Sequence, residues 1–237
     1  MEIAAAMKRF YNEATAAAEG AGWRVLLDGR GVKSQGGRAQ IVPTEALAVA
    51  LAAEWSGQGE EIDPAQFVLR DLADYAIDGI AADRAAVLAD LLRYAETDTL
   101  CYRAEPDEPS HDRQLELWEP LLLAAEARWQ VQFERIAGII HRPQPALTLD
   151  RLQAVLAPKD DFTLAALVTL TTLSASLVIG LSALEPDADL ALLWRASELE
   201  ADWQVEQWGK DDEAELRAVR RYTTFAAAAR FAVLARS

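Results

Sequence analysis

Apolar and polar residues follow two different rhythms along this chain, and the change of rhythm divides it. Over Trp23-Arg24-Val25-Leu26-Leu27 the apolar positions partly alternate, and Asp28-Gly29 follows as a turn signal. Val32-Lys33-Ser34 and Gln40-Ile41-Val42 are further short runs, separated by the Gly36-Gly37 turn, so this region predicts short antiparallel strands. The alanine-rich stretch 14–18 conflicts with that reading, because alanine favours helix. Thr44 is suited to cap a helix with Glu45 in its first turn, and Leu47, Ala50, Leu51 and Trp55 give that helix one apolar face up to Gly57.

Beyond Pro64 the spacing changes to three and four. Leu72, Tyr75, Ala76 and Gly79 share one helical face, and Val87, Leu88, Leu91 and Leu92 share another. Pro120 fits the first turn of a new helix starting near Trp118 better than the interior of a continuous one, and Pro143-Gln144-Pro145 reads as a rigid loop. Helices are expected over 152–156, 162–184, 188–208 and 211–234, the last facing inward with Leu216, Val219, Phe225, Phe231 and Leu234. The fold class is therefore α+β: a small antiparallel β-rich N-terminal domain with one helix over 1–64, then a larger, mainly α-helical domain over 65–237.

Composition narrows the partners. At 237 residues and 51% hydrophobic, the chain can bury a substantial core. Its formal charge of -15 opposes nucleic acid or an anionic membrane as partner, since both are polyanions, and suits a basic protein surface. A single cysteine, Cys101, excludes an internal disulfide and a thiolate metal cage, which fits a reducing cytosol. Residues 1–6 are apolar but too short for a secretory signal. The uncharged stretch 162–184 matches the roughly 20 residues of a membrane span. Its seven Thr and Ser residues and acidic flanks favour instead a central helix of a soluble core, without membrane insertion.

Catalytic chemistry is poorly represented. Neither His111 nor His141 belongs to a zinc spacing, so no metal site is expected. A Cys101 and His111 dyad is conceivable, but Cys101 between Leu100 and Tyr102 reads as a small buried hydrophobe. Gly209-Lys210 fails as a phosphate loop because Gln204 stands where the first glycine is required. No cofactor and no catalytic residue is assigned. The carboxylates leave open a small-molecule enzyme with a carboxylate-lined interdomain pocket.

The most distinctive segment is Ser197-Glu198-Leu199-Glu200-Ala201-Asp202-Trp203-Gln204, continuing to Trp208-Gly209. Leu199, Trp203 and Gln207 fall four apart, as do Glu198, Asp202 and Glu206, so an apolar ridge runs beside an acidic one until Gly209 ends the helix. Such a face serves either as a core helix with a solvated side or as a docking surface for a basic protein.

Six further blocks accompany it: Lys8-Arg9-Phe10-Tyr11; Leu27-Asp28-Gly29-Arg30-Gly31-Val32-Lys33; Pro43-Thr44 through Ala53-Glu54-Trp55; Gln58-Gly59-Glu60 with Ile62-Asp63-Pro64; Tyr94 with Thr97-Asp98-Thr99-Leu100-Cys101-Tyr102-Arg103-Ala104; and Gln114 with Leu117-Trp118-Glu119-Pro120. In this order the chain resembles the assembly chaperone family of the ATP synthase F(1) alpha subunit over nearly its whole length. The resemblance implies a non-enzymatic chaperone that holds the unassembled alpha subunit and prevents its aggregation until the beta subunit replaces it. It also implies a strand near residues 10–15 and a bacterial cytosolic protein, eukaryotic relatives acting in the mitochondrial matrix. A monomer is the simplest expectation for the oligomeric state.

By the same resemblance Glu200 is the functionally important position, facing a client cation, and client binding is expected on it together with its neighbours Asp202, Trp203 and Glu206. The competing role for Glu200 is an internal bond to Arg195 or Arg30. Phe10, Tyr11, Trp55 and Trp118 are expected in the core, and Asp98 with Arg103 as a polar pair fixing a helix end. Gly31 and Gln35 depart from the family's turns, and Glu198 stands where a basic residue is common.

Overall fold

The computed structural model describes residues 7–138, 140–209 and 212–237, so the leader weighed at 1–6, Lys210 of the phosphate-loop test and Asp211 at the last expected helix start lie outside the described residues. The chain forms two compact units. The first joins Met1–Asp83 with Asp161–Ala166 and Arg230–Ser237; the second comprises Arg84–Asp160 and Leu167–Ala229.

In the first unit, β1 (Ala14–Glu19), β2 (Gly22–Leu27) and β3 (Arg30–Gly31) form an antiparallel sheet in that order. Asp28 and Gly29 both have positive φ, 47° and 79°, so their twist matches the two-residue hairpin between β2 and β3. The alanine-rich stretch is a strand. Ala16 pairs with Val25 and Ala17 with Arg24, and these small side chains let α1 (Glu45–Ser56) pack on β1 and β2, so tertiary pairing overrides alanine's helical preference. The strand lies later than the resemblance implies, and Phe10 and Tyr11 precede it.

The expected strands at 32–34 and 40–42 are reduced to single bridges, Lys33 with Ala39 and Trp23 with Val42. Their polar groups turn elsewhere: Gln40 Nε2 donates to Asp74 at 2.6 Å, Ser34 Oγ to Asp78 at 3.0 Å, and the Gly36 backbone N–H to Asp78 at 2.7 Å.

Thr44 caps α1 as expected, its Oγ1 accepting from the Leu47 N–H at 3.1 Å and donating to the Leu234 carbonyl at 2.5 Å. Leu47, Leu51 and Trp55 are buried beneath, each stabilising the fold by about 1.5–3 kcal/mol. Glu54 serves the next helix, α2 (Val68–Asp74), whose first residue has no side-chain cap of its own: the Glu54 carboxylate accepts from the Leu69 and Arg70 N–H groups at 2.7 and 2.9 Å. The π-helical turn Tyr75–Ile80 then keeps Ala76 inward while leaving Tyr75 exposed, contrary to the single face expected.

The second unit contains α3 (Arg84–Glu96), α4 (Pro109–Trp129), α5 (Ala146–Leu156), α7 (Leu177–Ser182) and α8 (Leu190–Trp208). It also holds most of α6 (Asp161–Ser174) and of α9 (Asp212–Leu234). Pro120 lies inside α4, not at a helix start. It is exposed, so the carbonyl that loses a backbone donor can turn to solvent, while Gln114, Trp118, Leu122 and Ala125 hold the helix by its buried face.

The expected helix over 162–184 is broken at Ala175, whose φ is 51°. Ser176 caps α7 by accepting from the Ile179 N–H at 3.0 Å, and buried Asp98 accepts from the Val178 and Leu100 N–H groups at 3.0 and 3.1 Å. Asp98 therefore does fix a helix end, but Arg103 pairs with Glu119 at 2.6 Å instead. Tyr102 and Arg103 form β4, parallel to β5 (Ile136–Ala137). Trp118 is core, its Nε1–H donating to the Ala196 carbonyl at 2.8 Å. On α9, Phe225 and Phe231 are buried as expected, whereas Leu216 and Val219, expected to face inward, are exposed.

Candidate functional site

The site is built on the second half of α8. Asp189 opens the helix by accepting from the Leu192 N–H at 2.9 Å, and Leu193, Ala196 and Leu199 bury its first half. No residue of the helix beyond Leu199 is buried, and Gly209 stops it with φ 93°. The helix thus leaves the core where its acidic residues begin. Of the apolar ridge expected at 199, 203 and 207, only Leu199 is buried; Trp203 is half-buried and Gln207 exposed.

Glu200, Trp203 and Gln204 fall on one face and line an open groove of about 610 Å³ with Tyr102, Arg103 and Gln114. Among the described residues, the one hydrogen bond to the Glu200 carboxylate comes from a neutral donor, Gln114 Nε2 at 3.2 Å. Gln114 is itself buried and fixed from behind, its Oε1 accepting from the Ala104 N–H at 2.8 Å at the end of β4. Partial loss of solvent raises the Glu200 pKa from its ordinary value, and the Gln114 amide opposes that rise. The cation bond weighed for Glu200 is replaced by this amide, so its charge is oriented without being neutralised.

The three residues of the acidic ridge have separate fates. Glu198 accepts from Arg221 at 3.0 Å, and this ion pair answers the absence of a basic residue at its position. Glu206 accepts from Arg113 Nη1 at 2.8 and 2.9 Å, and the same guanidinium stands 4.6 Å from the centre of the Trp203 ring. Asp202 is exposed and has no bonding partner among the described residues; reduced solvation and the neighbouring Glu206 both raise its pKa. The structure therefore joins Glu200 and Trp203 in one groove, ties Glu206 to Trp203 through Arg113, and sets Asp202 apart.

Sequence reasoning missed Gln114 and Arg113 as parts of the site. The signal for Gln114 was present: it occupies the same α4 face as Trp118, Leu122 and Ala125, where an amide must find partners.

Other reactive groups are constrained differently. Burial pushes the Cys101 thiol far above its ordinary range, which disfavours a thiolate. His141 Nδ1 lies 2.8 Å from the Tyr102 hydroxyl. Among the described residues, no cluster suited to a metal ion is present and no helix is long and apolar enough to cross a membrane.

Residues 8–126 match the family described as ATP12 chaperone protein. The mitochondrial protein atp12 of Schizosaccharomyces pombe is 26% identical over 219 residues, covering 87% of this chain and 75% of the relative. The crystal structure of Atp12 from Paracoccus denitrificans is 36% identical and aligns with a TM-score of 0.90 over 97% of this chain and 98% of the other. An aspartate-to-lysine variant of that protein aligns equally well.

Proposed function

Because this chain belongs to the ATP12 chaperone protein family, we propose that it serves assembly of the F(1) sector of ATP synthase by holding the unassembled alpha subunit until the beta subunit displaces it. The observation that carries this reading is Glu200: a carboxylate held in a groove beside Trp203, with a neutral amide as its hydrogen-bond donor. A client lysine or arginine placed there gains a charge-assisted bond, and the aromatic ring supplies adjoining contact area. Asp202 adds negative charge nearby.

A free subunit exposes apolar surface that the finished complex will bury, and covering it suppresses aggregation. Release requires no bond cleavage, since the larger final interface can displace the chaperone. The protein acts in this reading without turnover, in the bacterial cytosol.

The test is light scattering of unassembled alpha subunit with stoichiometric chaperone and no ATP. Wild type suppresses the scattering. Glu200→Gln weakens binding of the subunit severalfold and Glu200→Lys weakens it by about tenfold or more, with the fold retained. Full protection by both variants overturns the role of the charge.

A further inference from the structure

The first compact unit carries a groove of about 530 Å³ whose lining shares no residue with the groove around Glu200. Its aromatic wall is a series of edge-on rings running inward from the surface. Phe10, 65% exposed, stands 5.3 Å from Tyr11, and Tyr11 stands 5.6 Å from Trp55. The Tyr11 hydroxyl donates to the Trp55 carbonyl at 2.6 Å, which fixes the series to α1. Phe10 was expected in the core. Instead the chain is pinned beside the β2–β3 hairpin by Asp28, whose carboxylate accepts from the Asn12 and Glu13 N–H groups, and Phe10 is left at the rim.

The charge of this groove is opposite to that of the whole chain. Arg30 and Lys33 come from the hairpin, and Arg70 comes from α2. Asp28 is the single carboxylate among the lining residues, and backbone donors occupy it. Arg30 and Lys33 are exposed, and neither side chain has a bonding partner among the described residues. The Arg70 guanidinium lies 5.6 Å from the Trp55 ring centre and 4.9 Å from that of Phe67. Its Nε is 3.6 Å from Asp74 and its Nη1 3.9 Å from Asp71, both too far for a hydrogen bond, and among the described residues this Nε and Trp55 Nε1 are buried without an acceptor. A chain of net charge -15 thus gathers two exposed cations, Arg30 and Lys33, and a third, Arg70, that is shared with Asp71 at 3.9 Å and Asp74 at 3.6 Å, around an exposed aromatic edge.

We propose that this groove receives an acidic side chain flanked by an apolar residue, in an extended segment of the protein client. The contact is opposite in sign to the one at Glu200, and it rests on the chaperone reading above. Two features favour a peptide over a small anion. Phe10 is largely open to solvent, whereas small-molecule sites enclose most of their ligand, and an exposed ring beside cations matches a carboxylate with a neighbouring apolar side chain. Contacts of both signs would also fix the client's orientation, which a uniformly acidic surface cannot do.

The test measures affinity for unassembled alpha subunit with Arg30→Glu/Lys33→Glu. The control is Arg142→Glu/Arg151→Glu, which carries the same change of net charge. The pocket pair is expected to weaken binding about tenfold more than the control, and Arg30→Gln/Lys33→Gln to fall between. A photoreactive p-benzoylphenylalanine at position 10 is expected to crosslink to a client segment containing Asp or Glu. Circular dichroism checks the fold of each variant. Equal weakening by the pocket and control pairs, or no crosslink from position 10 while the client binds, overturns the groove alone. Failure of the wild-type chain to bind the subunit overturns the chaperone reading and this one with it.

Discussion

At the scale of single residues, the second unit depends on polar groups whose partners are far away in sequence. Glu119 forms an ion pair with Arg103 at 2.6 Å and accepts from Arg135 at 2.8 Å, and Arg135 also bonds Glu126. Arg103 is almost fully buried, so Glu119→Gln leaves an uncompensated cation inside and is expected to cost about 3 kcal/mol in urea denaturation. The pH dependence gives a second reading. Burial raises the Glu119 pKa, but the two guanidiniums outweigh it and hold the group below its ordinary 4.5. Its contribution is therefore present above that value and lost as pH falls through the depressed pKa, so the difference between wild type and Glu119→Gln shrinks in acid. Asp98 shows why such roles are only half legible. Its place beside Thr99 marks a turn, yet the helix start it holds lies 80 residues further on. Trp55, Trp118 and Cys101 were readable as core because size and apolarity decide their placement locally, while Phe10 was not, because its exposure depends on where Asp28 pins the backbone.

At the scale of elements, strong local signals survived and breaks created by tertiary contacts did not. The Thr44 cap, the Asp28-Gly29 hairpin and the Gly209 stop are written in residue type. Pro120 inside α4 and the break at Ala175 are settled by which face each segment buries. On α8 the acidic positions were visible, but their division into a paired Glu198, a paired Glu206 and an amide-held Glu200 depends on α4 and α9. The end of α4 offers a direct measurement. Gln130 adopts φ 55° and ψ 40° at the C-cap, is exposed, and occupies a conformation glycine adopts without steric cost. Gln130→Gly is expected to stabilise the fold by about 0.5–1 kcal/mol, raising the urea midpoint without altering client affinity. A lower midpoint would show that the left-handed residue makes a compensating contact.

At the scale of the whole molecule, charge and connectivity set the behaviour. With a formal charge of -15, encounter with a basic client surface is accelerated at low salt. In stopped-flow association with the alpha subunit, the rate constant is expected to fall roughly tenfold between about 0.05 and 0.5 M salt, with a smaller change in dissociation. Rates insensitive to salt would remove steering from the proposed function. The first compact unit has a different kind of dependence. It begins with the opening sheet but includes Arg230–Ser237, with Phe231 stacked 6.2 Å from Phe162 and Leu234 accepting from Thr44. During synthesis, then, the strands of residues 14–31 must wait until the turn of helix at 230–234 has been made before their packing is finished, and a nascent chain held short of residue 230 would display a half-built domain, itself sticky and exposed to proteases.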